Sequence, residues 1–123
     1  MKVKSLSEIE NCPVTATMEI MGGKWKLLIL HLINNDINRF GKMSMMLRDI
    51  SKQMLTTQLR ELERDGIVNR VIFAEIPPRV EYSLSEKGKT LLPIIELMKD
   101  WGNDHVLNAG KKKLVNELVD RTS

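Results

Sequence analysis

The chain has 123 residues, a length that fits one domain and leaves little room for a second. Hydrophobic residues make up 42% and charged residues 28%, the balance of a soluble globular protein rather than of a disordered one. The net charge of +3 is local, because the stretch from Arg39 to Arg70 has 7 basic and 4 acidic residues while the remainder has 12 of each. Such a local basic excess favours a nucleic-acid-binding face.

Several functional classes are excluded by features that the sequence lacks. No apolar run exceeds that from Leu27 to Leu30, far short of the roughly 20 residues of a membrane-spanning helix, and the polar first ten residues do not resemble a secretion signal. Cys12 is the only cysteine, so we expect no disulfide within the chain and a reducing, cytoplasmic location. His31 and His105 lack zinc-site spacing, and nucleotide-binding and nucleophile motifs are absent. We therefore predict no membrane association, no metal, no cofactor, no catalytic residue and no enzymatic activity.

The first third of the chain predicts a loose arm followed by three helices. Residues 1–11 form the arm, and the apolar residues of Val14 to Met21 follow helical spacing until Gly22-Gly23 ends that helix. A second helix begins near Lys24 and ends near Asn35, and a short third helix covers Phe40 to Leu47. Its inward side chains are predicted to be Phe40, Met43, Met46 and Leu47.

A longer helix follows the tight connection Arg48-Asp49-Ile50. Ser51 is a good N-cap, because its hydroxyl can accept a backbone N–H that has no partner within the helix. The helix runs to about Asp65, and Gly66 suits the left-handed position that ends it. Its inward face is predicted to consist of Leu55, Leu59 and Leu62.

The rest of the pattern predicts a hairpin and a terminal helical region. Val68 to Ala74 and Val80 to Leu84 alternate as strands do, and Glu75 to Arg79 connects them at a tip that projects into solvent. Ser85 caps the helical region that follows, and Pro93 is expected to bend it. An apolar stripe along this region, too long for a small core to cover, predicts a dimer interface formed by Leu91, Ile94, Ile95, Met98 and Trp101.

The predicted fold is mainly α with a small β-hairpin wing, a winged helix-turn-helix that dimerises through its terminal helices. We expect an N-terminal arm at residues 1–11, a winged domain with its dimerisation helices at 12–110, and a C-terminal tail at 111–123. Within the tail, a further amphipathic turn is indicated by Leu114, Val115, Leu118 and Val119.

The helix from Ser51 to Asp65 is the predicted DNA-reading element. Winding it at about 100° per residue places polar and basic side chains opposite the leucines and leaves Glu61 and Glu63 at the sides, so that the outer face is free of carboxylates. Two interpretations of Arg79 in the wing stay open: it is exposed to solvent, or it contacts the DNA minor groove. The predicted DNA-binding residues are Ser51, Lys52, Gln53, Thr56, Thr57, Arg60, Arg64 and Arg79.

Nine short motifs are spread from Cys12 to about Gly102, most of the chain: Cys12-Pro13-Val14, Gly22-Gly23-Lys24-Trp25, Leu28-Ile29-Leu30, Arg39-Phe40, Ile50-Ser51, Met54-Leu55-Thr56, Leu59-Arg60-Glu61-Leu62-Glu63, Asp65-Gly66-Ile67-Val68 and Pro77-Pro78-Arg79-Val80-Glu81-Tyr82. In this order the chain resembles the HxlR-type family of bacterial transcriptional regulators. Arg48-Asp49 departs from the Pro-Gly often found before the Ile-Ser turn. The resemblance implies a homodimer on a palindromic operator, with Ser51 to Asp65 as recognition helix and Glu75 to Arg79 as wing.

Cys12 precedes Pro13 at a predicted helix N-terminus, where the helix dipole favours a thiolate. Members of the family that the chain resembles include regulators that sense oxidants or electrophiles through a cysteine at this place. Cys12 is therefore a candidate redox sensor, and an electrophile or another small-molecule effector a candidate partner; the alternative is that Cys12 only packs as a small hydrophobic residue. Two further alternatives to a DNA-binding regulator stay open, a thiol-based enzyme and a protein-interaction module that does not bind DNA.

Overall fold

A computed structural model describes residues 5–108 of the chain. Within that range the chain is mostly helical with one two-stranded antiparallel hairpin, as the sequence predicts. It divides into two compact units, one ending at Lys89 and the other beginning at Thr90. The elements are α1 (Leu6–Glu10), α2 (Pro13–Met21), α3 (Lys26–Asn34), α4 (Phe40–Met46), α5 (Lys52–Arg64), β1 (Val68–Phe73), β2 (Arg79–Leu84), α6 (Glu86–Lys89), α7 (Leu92–Gly102) and a π-helical turn (Asn103–Leu107).

The core of the first unit lies where α3, α5 and the hairpin meet. The predicted inward face of α5 is confirmed, since its three leucines are buried. The prediction for Met46 is wrong: it is exposed, and Met43 is the buried residue of α4. Apolar burial of this kind is the main favourable term in folding, and it fixes α5 on the domain. The most deeply buried side chains are Ile29, Leu30, Met43, Leu55, Leu59, Leu62, Ile67 and Val68.

Local backbone chemistry sets both ends of α5. The Ser51 hydroxyl accepts a hydrogen bond from the Met54 backbone N–H at 3.0 Å, so the predicted N-cap is confirmed. Gly66 ends the helix with a φ of 74°, the left-handed conformation that glycine adopts without strain. Arg48, in the turn between α4 and α5, also has a positive φ of 38°. That conformation is unfavourable for a residue with a side chain.

Hydrogen bonds near the base of the hairpin, away from its tip, hold it to the rest of the first unit. The strands pair from Val68 with Leu84 to Phe73 with Arg79, so the connection lies one residue earlier than predicted. The Tyr82 N–H donates to the Asn38 carbonyl ahead of α4 at 2.9 Å. The predicted cap at Ser85 is confirmed: its hydroxyl accepts from the Gly88 N–H at 2.9 Å and lies 3.0 Å from the Ile67 carbonyl.

Two regions differ from the sequence-based expectations. Residues Leu6–Glu10 form α1 where a loose arm is expected, because Ser5 accepts from the Glu8 N–H and caps this short helix. Pro93 does not bend the terminal helix: it lies in the first turn of α7, where the missing N–H would have no partner within the helix. The helical path continues past Gly102 as the π-helical turn. The amphipathic turn and the tail predicted beyond residue 110 lie outside the described residues.

Candidate nucleic-acid interface

α5 has one buried face and one face that reaches solvent. Its leucines anchor it to the core, while Thr56 is half-buried and the other predicted DNA-binding residues of this segment are exposed. The helix therefore presents a ridge of polar and basic groups, as a helix that enters the DNA major groove requires. The exposed members are Ser51, Lys52, Gln53, Thr57, Arg60 and Arg64.

The two threonine hydroxyls of α5 donate their protons within the helix. Thr56 Oγ1 lies 2.8 Å from the Lys52 carbonyl oxygen, and Thr57 Oγ1 lies 3.0 Å from that of Gln53. A hydroxyl used in this way keeps its lone pairs and its neighbouring methyl group for other contacts. Thr57 is thus suited to accept a hydrogen bond from a base amino group, or to contact a thymine methyl, rather than to donate to a phosphate.

Carboxylates lie near two of the arginines on or beside α5. Arg64 Nε is 3.4 Å from the Asp65 carboxylate, so the prediction that the outer face is free of carboxylates is wrong for Arg64. Glu63 Oε2 lies 3.7 Å from Nε of Arg70 on β1. Within residues 5–108 Arg60 makes no ion pair, which leaves its guanidinium available to a phosphate or a base.

An ion pair between a buried lysine and a half-buried glutamate joins α5 to α3. Lys26 is buried, and its Nζ lies 2.7 Å from Oε2 of Glu61. The hydrogen bond from Lys26 holds the pKa of the Glu61 carboxyl below its ordinary value. Sequence reasoning placed Glu61 only at the side of the recognition face, although a lysine inside the apolar pattern of α3 signals that a carboxylate partner is needed.

A cleft of about 260 Å³ lies between α5 and the hairpin. It brings residues of the predicted recognition helix next to residues of β1 and β2 that the sequence analysis did not single out. Its charged members are two guanidinium groups and one carboxylate, so its net charge is positive. The cleft is lined by Phe40, Thr56, Arg60, Glu63, Arg70 and Tyr82.

Arg79 is held at the base of the wing rather than extended into solvent. Its guanidinium carbon lies 4.0 Å from the centre of the Phe73 ring. Its NH2 atom is 3.4 Å from Glu75, and its buried Nε is 3.5 Å from Glu81 without hydrogen-bond geometry. The two carboxylates next to it offset the charge of Arg79, which weakens its attraction for a phosphate.

Cys12 lies at the N-cap of α2, as the sequence predicts, and it is half-buried. The backbone N–H groups of Thr15 and then Val14 lower the pKa of its thiol, although neither makes a hydrogen bond of standard geometry to Sγ. The effect is electrostatic, because unpaired N–H groups at a helix N-terminus favour a negative charge. The thiolate fraction at neutral pH is therefore larger than for an ordinary cysteine.

The second unit carries an exposed apolar face on α7. Ile94, Met98 and Trp101 from the predicted dimer interface are exposed, Leu91 is half-buried, and Ile95 is buried within the chain. Leu97 is 70% exposed and was missed, although its spacing from Ile94 and Trp101 places it on the same helix face.

Neither a membrane-spanning helix nor a cluster of metal-binding side chains is found among residues 5–108. No helix among residues 5–108 is long and apolar enough to cross a membrane. No group of three or more His, Cys, Asp or Glu side chains in that range could hold a metal ion.

A polar, basic helix held by a helical core beside a two-stranded hairpin defines a winged helix-turn-helix protein. Comparison with known proteins gives the family. The profile of the HxlR-like helix-turn-helix family matches residues 20–109. The chain therefore belongs to that family and is a transcriptional regulator of the helix-turn-helix type, as the resemblance of its motifs implied.

Individual relatives agree with this assignment. The chain is 44% identical over 118 residues to the Bacillus subtilis protein named "Uncharacterized HTH-type transcriptional regulator YdeP", covering 95% of this chain and 91% of that protein. The structure of the redox regulator HypR in its oxidized form is similar with a TM-score of 0.72 and 46% identity, over 76% of this chain and 97% of HypR. The reduced form of the transcriptional regulator YodB from B. subtilis has a TM-score of 0.66 and 33% identity, over 77% and 94%. These relatives are regulators rather than enzymes.

Proposed function

We propose that the protein binds double-stranded DNA in a sequence-specific manner as a homodimer on a palindromic operator, within the cytoplasm. The observation that carries this proposal is the exposed face of α5, which is polar and basic while its opposite face is locked into the core. Phosphate contacts by arginine and lysine supply most of the affinity of such proteins, and base contacts supply the specificity.

The exposed residues of α5 divide into two groups by chemistry. Gln53 and Thr57 contact bases. Glutamine pairs with adenine, and the Thr57 hydroxyl, which donates its proton to the Gln53 carbonyl, can only accept a hydrogen bond from DNA. Arg60 contacts a phosphate, because it lines the cleft between α5 and the hairpin. The phosphate-contacting set is completed by Ser51, Lys52 and Arg64 around the helix and by Arg79 at the wing, while Thr56, whose proton is donated within the helix, contacts DNA through its methyl group or as an acceptor.

The exposed apolar face of α7 is the dimer interface in this proposal. Leu97 and Trp101 are 70% and 61% exposed, a degree that favours burial against a second subunit. Leu97→Glu or Trp101→Glu would place a charge in that interface, so each variant is expected to be monomeric by light scattering at micromolar concentration. A wild-type monomer at that concentration would contradict the proposed dimer. The exposed face consists of Ile94, Leu97, Met98 and Trp101, with half-buried Leu91 just before the helix and Ile95 buried.

Redox or electrophile sensing through Cys12 is a second element of the proposal. Its lowered thiol pKa supports it, as does the similarity to a protein described as a redox regulator. With one cysteine per chain, oxidation joins two subunits or adds a small-molecule thiol. Diamide is expected to weaken the binding of wild-type protein to DNA and to leave Cys12→Ser unaffected. Equal responses of the two proteins would assign Cys12 to packing alone.

Binding to a labelled random-sequence duplex at increasing salt tests the DNA-binding function itself. The logarithm of the affinity of wild-type protein is expected to fall linearly with the logarithm of the salt concentration. Lys52→Gln should weaken binding and reduce that slope, whereas the matched variant Lys89→Gln on α6 should change neither. Absence of duplex binding at low salt would instead favour a protein-interaction module.

A further inference from the structure

The cleft between α5 and the hairpin gathers polar and charged side chains from α5, β1 and β2. Thr56, Arg60 and Glu63 follow one another at spacings of four and three residues and share one face of α5. Arg70 and Tyr82 are directly paired across β1 and β2, so they share one face of the hairpin. The two faces meet at the cleft, which is several times larger than the ~30 Å³ that one water molecule occupies.

The charges in the cleft favour binding of an anion. Arg60 and Arg70 supply two guanidinium groups, and Glu63 supplies the single carboxylate. The Glu63–Arg70 distance of 3.7 Å is longer than a hydrogen bond, and the two side chains are 40% and 48% exposed. Such a loose and hydrated pair is weak, and it can exchange for a better acceptor. A phosphate is that acceptor, because it can bind guanidinium groups through two parallel hydrogen bonds.

Tyr82 adds a neutral donor to this group. Burial raises the pKa of its phenol, and the charges of Arg70, Glu63 and Arg60 also act on it. The hydroxyl therefore keeps its proton at neutral pH and can serve as a donor.

We propose that this cleft binds one phosphate group through Arg60 and Arg70, and that Glu63 is an internal competitor which occupies Arg70 until the phosphate displaces it. The inference rests on the proposed DNA-binding function, and the phosphate it commits to is one of the DNA backbone. A phosphate at this position contacts the recognition helix and the strands of the hairpin together, so it helps to set the angle at which α5 meets the groove. The carboxylate limits affinity for any duplex, so dissociation from non-operator DNA is faster.

Four variants test the competition on a random-sequence duplex. Glu63→Gln is expected to bind roughly two- to fivefold tighter than wild type, the range for one exposed ion pair. Arg70→Gln is expected to bind more weakly, with the salt slope reduced by about one per subunit. Adding Glu63→Gln to Arg70→Gln should give a smaller gain than in wild type, because the residue that Glu63 occupies is gone. Glu86→Gln on α6 matches the charge change of Glu63→Gln outside the cleft and should have no effect.

A titration with inorganic phosphate shows whether the cleft binds an anion independently of whether the protein binds DNA. In protein labelled with ¹⁵N, the arginine side-chain N–H signals of wild type should shift with phosphate at constant ionic strength, and Glu63→Gln should saturate at lower concentration. Phosphate binding without duplex binding would keep the anion site and assign it to a small phosphorylated ligand, which overturns the DNA source. Equal behaviour of Glu63→Gln and Glu86→Gln in both assays would overturn the proposal. Circular dichroism confirms that each variant is folded.

Discussion

Replacement of Arg48 by glycine should stabilise the protein, because this residue holds a positive φ of 38° in the turn before the recognition helix. The left-handed conformation costs a residue with a side chain about 1–2 kcal/mol. Glycine removes that cost, but it loses about 0.5–1 kcal/mol through the greater freedom of the unfolded chain. The difference is a net stabilisation of about 0.7 kcal/mol, which raises the melting temperature by about 2–5 °C for a domain of this size.

Thermal and urea unfolding at one fixed protein concentration measure this effect, since a dimer's melting temperature depends on concentration. Arg48→Ala is the matched control, because it removes the same charged side chain and keeps the unfavourable φ. We expect Arg48→Gly to be more stable than both wild type and Arg48→Ala, which share the unfavourable φ. If Arg48→Gly is no more stable than Arg48→Ala, the turn is not strained and the reasoning fails.

Three other variants examine the recognition helix. Leu59→Ala should lose about 2–5 kcal/mol in urea unfolding, since it leaves a cavity under α5; a loss below 1 kcal/mol would contradict the tight core. The pKa of Glu61 is lowered in the folded protein, so the stability that Glu61 adds is present above its unfolded pKa near 4.3 and is lost as the pH falls through the lower folded pKa. Glu61→Gln should therefore flatten the decrease in unfolding free energy at acid pH. An unchanged decrease would contradict this. Arg60→Ala should weaken binding about equally on operator and random duplex and reduce the salt slope by about one per subunit, because it contacts a phosphate; a loss confined to the operator would instead assign Arg60 to a base.

Much of the fold is predictable from the sequence because local and long-range preferences agree. The three leucines of α5 recur at helical spacing, Ser51 and Gly66 mark its ends, and the structure has all five in those roles. By contrast, α1 has few apolar residues and depends on a single cap at Ser5, a signal too weak to distinguish a short helix from a loose arm. Pro93 illustrates another limit, because the same residue bends a helix interior and begins a helix.

The candidate site is less predictable, because its character depends on partners that are distant in sequence. Spacing along α5 identifies which residues point outward, but it does not show that Glu63 faces Arg70 on β1. It also does not show that Arg79 lies over the Phe73 ring between two carboxylates. Both arrangements follow from the register of the hairpin, which pairs Phe73 with Arg79 and carries Arg70 to the cleft.

The central claim, that α5 determines which DNA sequence the protein binds, is tested most directly by selecting bound fragments from a genomic library. Wild-type protein and Gln53→Ala are selected in parallel. We predict that wild type enriches an inverted repeat and that Gln53→Ala enriches the same repeat with a changed or lost base preference at one position of each half-site. An enriched sequence identical for both proteins, or no common sequence with either, would contradict the claim.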